Sequence, residues 1–182
     1  MRIQAAPVTW RSSAEHRRIL ADRINQLGLR SLFDLETYHT LSGSSYSIDV
    51  PEWYRCFSLQ IVAASLSGTD ELQVQFGDSS GLVTTGYVGG VSSSTAFVAA
   101  PTNSFRIANM GSTNAYTGIL EARLADLETN TWLVSYSGFR SGGNLNFYGS
   151  GSISLSSTIR SIAIQATGSD TFDAGNASIG GL

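Results

Sequence analysis

Two hydrophobic periods divide the chain. Over residues 12–27, Leu20, Ile24 and Leu27 recur at spacings of four and three with Ile19 beside them, the stripe of an amphipathic helix. Ser12 and Glu15 are placed to form a capping box at its start, and Gly28 supplies a left-handed stop. From Tyr38 onward the period falls to two. Phe57, Leu59 and Ile61 alternate with Cys56, Ser58 and Gln60, and Leu72, Val74 and Phe76 with Gln73 and Gln75. Leu120, Ala122 and Leu124 alternate with Glu121 and Arg123, and Ile162, Ile164 and Ala166 with Ser161, Ala163 and Gln165. Each set predicts a half-buried strand.

Turn chemistry separates these runs. Residues 67–70, 77–81, 141–144 and 149–151 are Gly/Ser/Asp/Asn clusters that read as tight reversals. Gly89-Gly90-Val91-Ser92-Ser93-Ser94-Thr95 reads as a long surface loop inside one domain. The spacing leaves room for about ten short strands with no helix between them. The expected fold is all-β, an antiparallel, jelly-roll-like β-sandwich over residues 36–182, preceded by an arm of residues 1–35 that carries the short α-helix. A lone helix of about 16 residues is marginal in water, so its stripe needs a partner. Burial against another protein would make Ile19, Leu20, Ile24 and Leu27 an anchor; the sandwich and copies of the helix are the other candidate partners.

Composition narrows the class. The 182 residues, 42% of them hydrophobic, suffice for one core and an appendage. Charged residues make up 14%, against roughly 25% in an average domain. All 11 basic residues are arginine, unclustered, in a chain of net charge −3, so no nucleic-acid partner is expected. No apolar run approaches the roughly 18 residues that span a bilayer, and Met1-Arg2-Ile3-Gln4 opens without a secretory apolar core. Assembly in a cytoplasm, without membrane contact, is the expectation. Cys56 is the single cysteine and His16 and His39 the two histidines, which predicts neither disulfide, metal centre nor cofactor.

Candidate chemistry is sparse. Gly77-Asp78-Ser79-Ser80-Gly81 has the look of a nucleophile or phosphate loop, but no helix pattern follows and the chain contains no lysine, so a hairpin turn is the reading. Neither histidine sits in a general-base context, and no catalytic residue is assigned. Asp126, Asp170 and Asp173 are the nearest approach to an acidic cluster. Asp170 and Asp173 flank the turn into the last strand, where capping of backbone N–H groups is expected ahead of Ca²⁺ binding. Among the aromatics, Trp53 and Trp132 are expected in the core or in an interface. Tyr136, Phe139 and Tyr148 are open between that role and a sugar-stacking surface, to which Arg140 and Asn144 would add hydrogen bonds.

The stretch from Leu72 to Tyr87, Leu-Gln-Val-Gln-Phe-Gly-Asp-Ser-Ser-Gly-Leu-Val-Thr-Thr-Gly-Tyr, resembles a β-sandwich module of phage and prophage tail-fibre-type virion proteins, in which a strand, Gly-Asp-x-x-Gly and Thr-x-Gly-Tyr follow one another. Val50-Pro-Glu-Trp53, Ser65–Thr69, Asn130–Val134 and Asp170–Gly175 agree with it, so the resemblance extends over about residues 36–182. Residues 16–25 resemble the short helix that precedes fibre-like domains. The resemblance implies a non-enzymatic structural protein of a tailed-phage virion, a fibre, spike or tail-tip component. It would be joined to other virion proteins through its helix and self-associated, with a trimer favoured. Two alternatives accompany it: a capsid decoration or cement protein, and a carbohydrate-binding module that engages a host surface glycan.

Overall fold

The computed structural model describes residues 38–93, 97–99 and 101–181. The predicted helix with Ile19, Leu20, Ile24 and Leu27, His16, and the boundary at residues 35/36 lie outside the described residues. Within them every regular element is a strand, thirteen in all: β1 (His39–Thr40), β2 (Ser45–Asp49), β3 (Cys56–Leu66), β4 (Glu71–Asp78), β5 (Gly81–Leu82), β6 (Val88–Ser93), β7 (Phe97–Ala99), β8 (Phe105–Asn109), β9 (Ala115–Asp126), β10 (Thr131–Arg140), β11 (Leu145–Ser154), β12 (Ser161–Ala166) and β13 (Phe172–Gly181).

The strands form two antiparallel sheets. The eight-stranded sheet runs β1-β13-β3-β9-β10-β11-β6-β7; the five-stranded one runs β2-β12-β4-β5, with β8 also paired to β4. Alternation decides which side chains meet between them. Phe57, Leu59 and Ile61 of β3, Leu120 and Ala122 of β9, and Trp132, Val134 and Tyr136 of β10 point inward from the larger sheet. Leu72, Val74 and Phe76 of β4 and Ile162 and Ile164 of β12 point inward from the smaller. The rings of Phe57, Phe76 and Trp132 meet at the centre, with centroids 5.4–6.3 Å apart. This is the layered, sandwich-like arrangement that two half-apolar sheets require.

Four readings of the sequence are corrected. First, β4 is not half-buried: Gln73 and Gln75 on its other face are buried as well, under the segment that leads into β8. Their amides are satisfied there, Gln75 Nε2 donating to Asn103 O at 2.7 Å and Ser104 Oγ donating to Gln73 Oε1 at 2.6 Å. Second, residues 89–93 are not a loop but most of β6, in register with β11 from Val88↔Ser152 to Ser93↔Phe147. Third, residues 149–151 are not a turn but the middle of β11.

The glycines in β6 and β11 serve close approach rather than reversal. A Cβ on Gly149 would fall inside the Tyr136 ring, and one on Gly151 would meet the Val88 carbonyl. Tyr116 lies in the same way across the paired Gly118 and Gly138. Tyrosine rings thus cover a glycine-thinned inner surface.

The fourth correction concerns one half of the Trp53 reading: it lies in the turn before β3, 52% exposed, edge-on to Tyr54 at 4.6 Å, so of core and interface the core is excluded.

Candidate functional site

The strongest surface feature is the outer face of the larger sheet, and strand register dictates its layout. One row across the strands, from β9 through β10 and β11 to β6, holds Arg123, Leu133, Ser152 and Val88. The next holds Glu121, Ser135, Ser150 and Gly90, and the third Ile119, Ser137, Tyr148 and Ser92. The middle row is small apart from Glu121, so it forms the floor of a trough between two taller rows. Two shallow depressions follow it: one of about 560 Å³ bounded by Val88, Gly90, Leu133 and Ser150, the other of about 130 Å³ by Ile119, Glu121, Ser135 and Ser137.

The rims are apolar and uncovered. Val88 is 67% exposed, Leu133 54% and Tyr148 56%, with Phe139 and Ile119 also exposed. Gathered on one sheet face, these side chains form an exposed apolar patch. Leu133 and Val88 had no place in the sequence reading, although parity held the signal for Leu133: it alternates with Trp132 and Val134, so two inward neighbours make it outward.

Parity also divides the five residues proposed as a ligand surface. Phe139 and Tyr148 share the outer face, and Asn144 stands exposed in the β10–β11 turn with φ 52°. Tyr136 is on the opposite face, 4% exposed, its hydroxyl donating to Gly90 O at 3.3 Å, and burial raises its pKa. Arg140 also faces inward, since it is an even number of residues from Tyr136. Its Nη1 donates to Asn109 O and Oδ1 at 2.8 and 2.9 Å, and its guanidinium lies 5.9 Å from the Phe147 ring centroid. Tyr136 and Arg140 are therefore removed from the candidate surface: one is core, and the other is engaged at the root of the hairpin.

The remaining candidate chemistry resolves into local structure. Residues 77–81 form the two-residue β4–β5 hairpin. Asp78 is its buried centre. Oδ1 accepts from Ser80 N and Oγ at 2.8 and 2.6 Å, and Oδ2 from Ser156 N and Oγ at 3.0 and 2.6 Å. Hydrogen bonds from the Ser156 and Ser80 side chains lead the causes that hold its pKa at about 2. Tyr87, which closes the Thr-x-Gly-Tyr stretch, folds back into the core, where its hydroxyl accepts Phe76 N–H at 2.8 Å and donates to Val83 O at 3.0 Å. Burial raises its pKa to about 12, against the opposing effect of the Phe76 N–H.

Asp170 caps Asp70, Asp173 accepts from Ser65 Oγ, and Asp126 accepts Glu128 N–H at 2.8 Å in the β9–β10 turn, a bond that lowers its pKa. Among the described residues no three His, Cys, Asp or Glu side chains are grouped as a metal site would need. His39 Nδ1 lies 3.2 Å from the Tyr46 hydroxyl at the sheet edge. Comparison with protein families, with curated proteins and with solved structures returned no match. What marks the described residues is thus a sandwich-like pair of antiparallel sheets with a hydroxyl-floored trough between apolar side chains across one of them.

Proposed function

We propose that the chain is a non-enzymatic structural protein of a tailed-phage virion, a fibre, spike or tail-tip component made and assembled in the host cytoplasm. In this reading the predicted helix, with Ile19, Leu20, Ile24 and Leu27, attaches it to other virion proteins. The sandwich projects and associates with copies of itself. The supporting observation is the role of the residues that carry the resemblance: Asp78 ties the β4–β5 hairpin to Ser156 in the β11–β12 connection, and Tyr87 ties it to the core. The shared motif is thus a folding signature rather than chemistry. Five of the seven steps from β2 to β9 change sheets, all but the β4–β5 and β6–β7 hairpins, which suits a jelly-roll-like path, with the β9–β10–β11 meander as an elaboration.

The test is to replace Leu20 and Ile24 with Asp in the full chain and follow its incorporation into particles by mass spectrometry and cryo-electron microscopy. Loss from particles with the sandwich still folded is expected. Normal assembly would refute the anchor, unfolding would assign the helix to the sandwich core, and density on the head would favour the cement role.

A second reading, a receptor module for a host surface glycan, is favoured by one observation. Phe139 and Tyr148 are exposed on one face, beside Asn146 and Ser137 and below the Asn144 turn. A glycan array on the wild type and on Tyr148→Ala tests it.

A further inference from the structure

We propose that the outer face of the larger sheet is a self-association surface on which a second copy of this chain packs face to face about a twofold axis. This rests on the self-association named above and gives it a surface, with a twofold symmetry in place of the trimer that the resemblance favoured. A dimer in solution needs no particle, so its failure and a failure of the virion reading are separately visible.

The first argument is charge. Across the three rows of β9, β10, β11 and β6, the only charged side chains are Glu121 and Arg123, of opposite sign and in adjacent rows. An interface between identical copies requires a patch complementary to itself. A twofold axis lying in the contact plane, across the strands and between those two rows, exchanges the rows of the two copies. It sets Arg123 over the second copy's Glu121, and Glu121 over its Arg123.

The second argument is shape, and the same operation supplies it. Leu133, 54% exposed, falls over the second copy's Ser135, and Val88, 67% exposed, over its Gly90. Each tall side chain meets a small one, and each contact occurs twice. Two sheet faces interdigitate in this way at a separation of about 10 Å.

The third argument is area. The axis lies near one end of β10 (Thr131–Arg140) and β11 (Leu145–Ser154), so the two faces overlap over about seven residues, about 24 Å, and four strands about 4.8 Å apart present some 450 Å² per copy. Two copies then bury about 900 Å², the scale of a weak, concentration-dependent contact. The near absence of charge and the exposed Tyr148, Leu133 and Ile119 match the composition of such contacts. A partner unrelated to this chain has no reason to mirror the Glu121/Arg123 pair.

Sedimentation velocity on the full chain, from about 1 to about 100 µM, should show a monomer passing to a dimer with concentration. Glu121→Arg gives a face with two arginines, and Arg123→Glu a face with two glutamates. Each variant alone should associate at least about tenfold more weakly, with unchanged circular dichroism. An equimolar mixture of the two should dimerise again, because each arginine then meets a glutamate. A monomer at every concentration, a threefold stoichiometry, single variants that associate like the parent, or a mixture no tighter than its components would each overturn the proposal. So would a monomer that binds a glycan through Tyr148.

Discussion

Asp70 and Asp170 cap each other: Asp170 Oδ2 accepts the Asp70 backbone N–H at 2.8 Å, and Asp70 Oδ2 accepts the Asp170 N–H at 2.9 Å. The turns that carry them, Ser67-Gly68-Thr69-Asp70 and Thr167-Gly168-Ser169-Asp170, are near copies a hundred residues apart. The exchange continues outward. Glu71 N donates to Thr167 Oγ1 at 3.0 Å and Thr171 N to Ser67 Oγ at 3.1 Å. The turn after β3 and the turn before β13 are thereby tied by side chains as well as by backbone.

Asp170→Ala leaves the Asp70 N–H without its acceptor and should cost about 1–2 kcal/mol, read as a lower urea midpoint at unchanged slope. Asp170→Asn keeps an acceptor oxygen and should lose less. Equal midpoints for wild type and Asp170→Ala would remove the reciprocal cap as a source of stability.

Acid stability should depend on Asp78. Its folded-state pKa of about 2 lies below the unfolded value of 3.8, so its contribution is complete above about pH 4 and disappears as pH falls through about 2. The amount is at most about 2 kcal/mol. Asp78→Asn should be less stable at pH 7 and show a flatter stability profile between pH 4 and 2. A profile parallel to the wild type would exclude Asp78 as the titrating group.

Alkaline stability has the opposite sign. Tyr87 has a folded-state pKa raised from 10.0 to about 12 by burial, so the stability its neutral hydroxyl confers is complete below about pH 10 and is lost as pH rises through 12. Tyr116 and Tyr136 are shifted upward by burial too. A titration of tyrosinate absorbance should show three hydroxyls that ionise late and together with unfolding. Tyr87→Phe leaves the Phe76 N–H unpaired in the core and should cost about 1–3 kcal/mol.

Gly149→Ala places a methyl group inside the Tyr136 ring and should destabilise by about 1–3 kcal/mol, as overpacking does. Tyr136→Leu in the same chain should recover part of the loss in thermal unfolding. Were Gly149→Ala neutral, the glycine would be there for the backbone rather than for the ring.

The strands were legible in the sequence where large apolar side chains alternate with polar ones. Phe57/Leu59/Ile61 and Leu120/Ala122 fall inward as alternation predicts. Legibility ended where a second constraint replaced that one. Gln73 and Gln75 are polar yet buried, because a neighbouring segment supplies their hydrogen bonds, and only tertiary structure reveals this. Gly89, Gly149 and Gly151 carry the same letter as turn glycines, although they exist to let a strand or a ring approach. The candidate surface was half legible. Residues 136 and 139 differ by an odd number, so one strand cannot offer both to one ligand. The hydroxyl floor of the trough needed the cross-strand register, which no local pattern encodes.

The placement of β1 has a mechanical consequence. The two residues of β1 pair with β13, followed by the Leu41 N–H bond to Gly175 O and the Gly43–Phe172 bridge; the chain then crosses to β2, an edge strand of the other sheet. Tension applied through the residues before His39 therefore meets the sandwich at its margins and opens these short pairings one after another, like a zipper. The long ladders β3–β9 and β9–β10 lie deeper in the sheet and are reached last. In optical tweezers the domain should give up its first few residues at low force and then resist. That order of yielding would let a tether lengthen under strain before the body of the protein gives way.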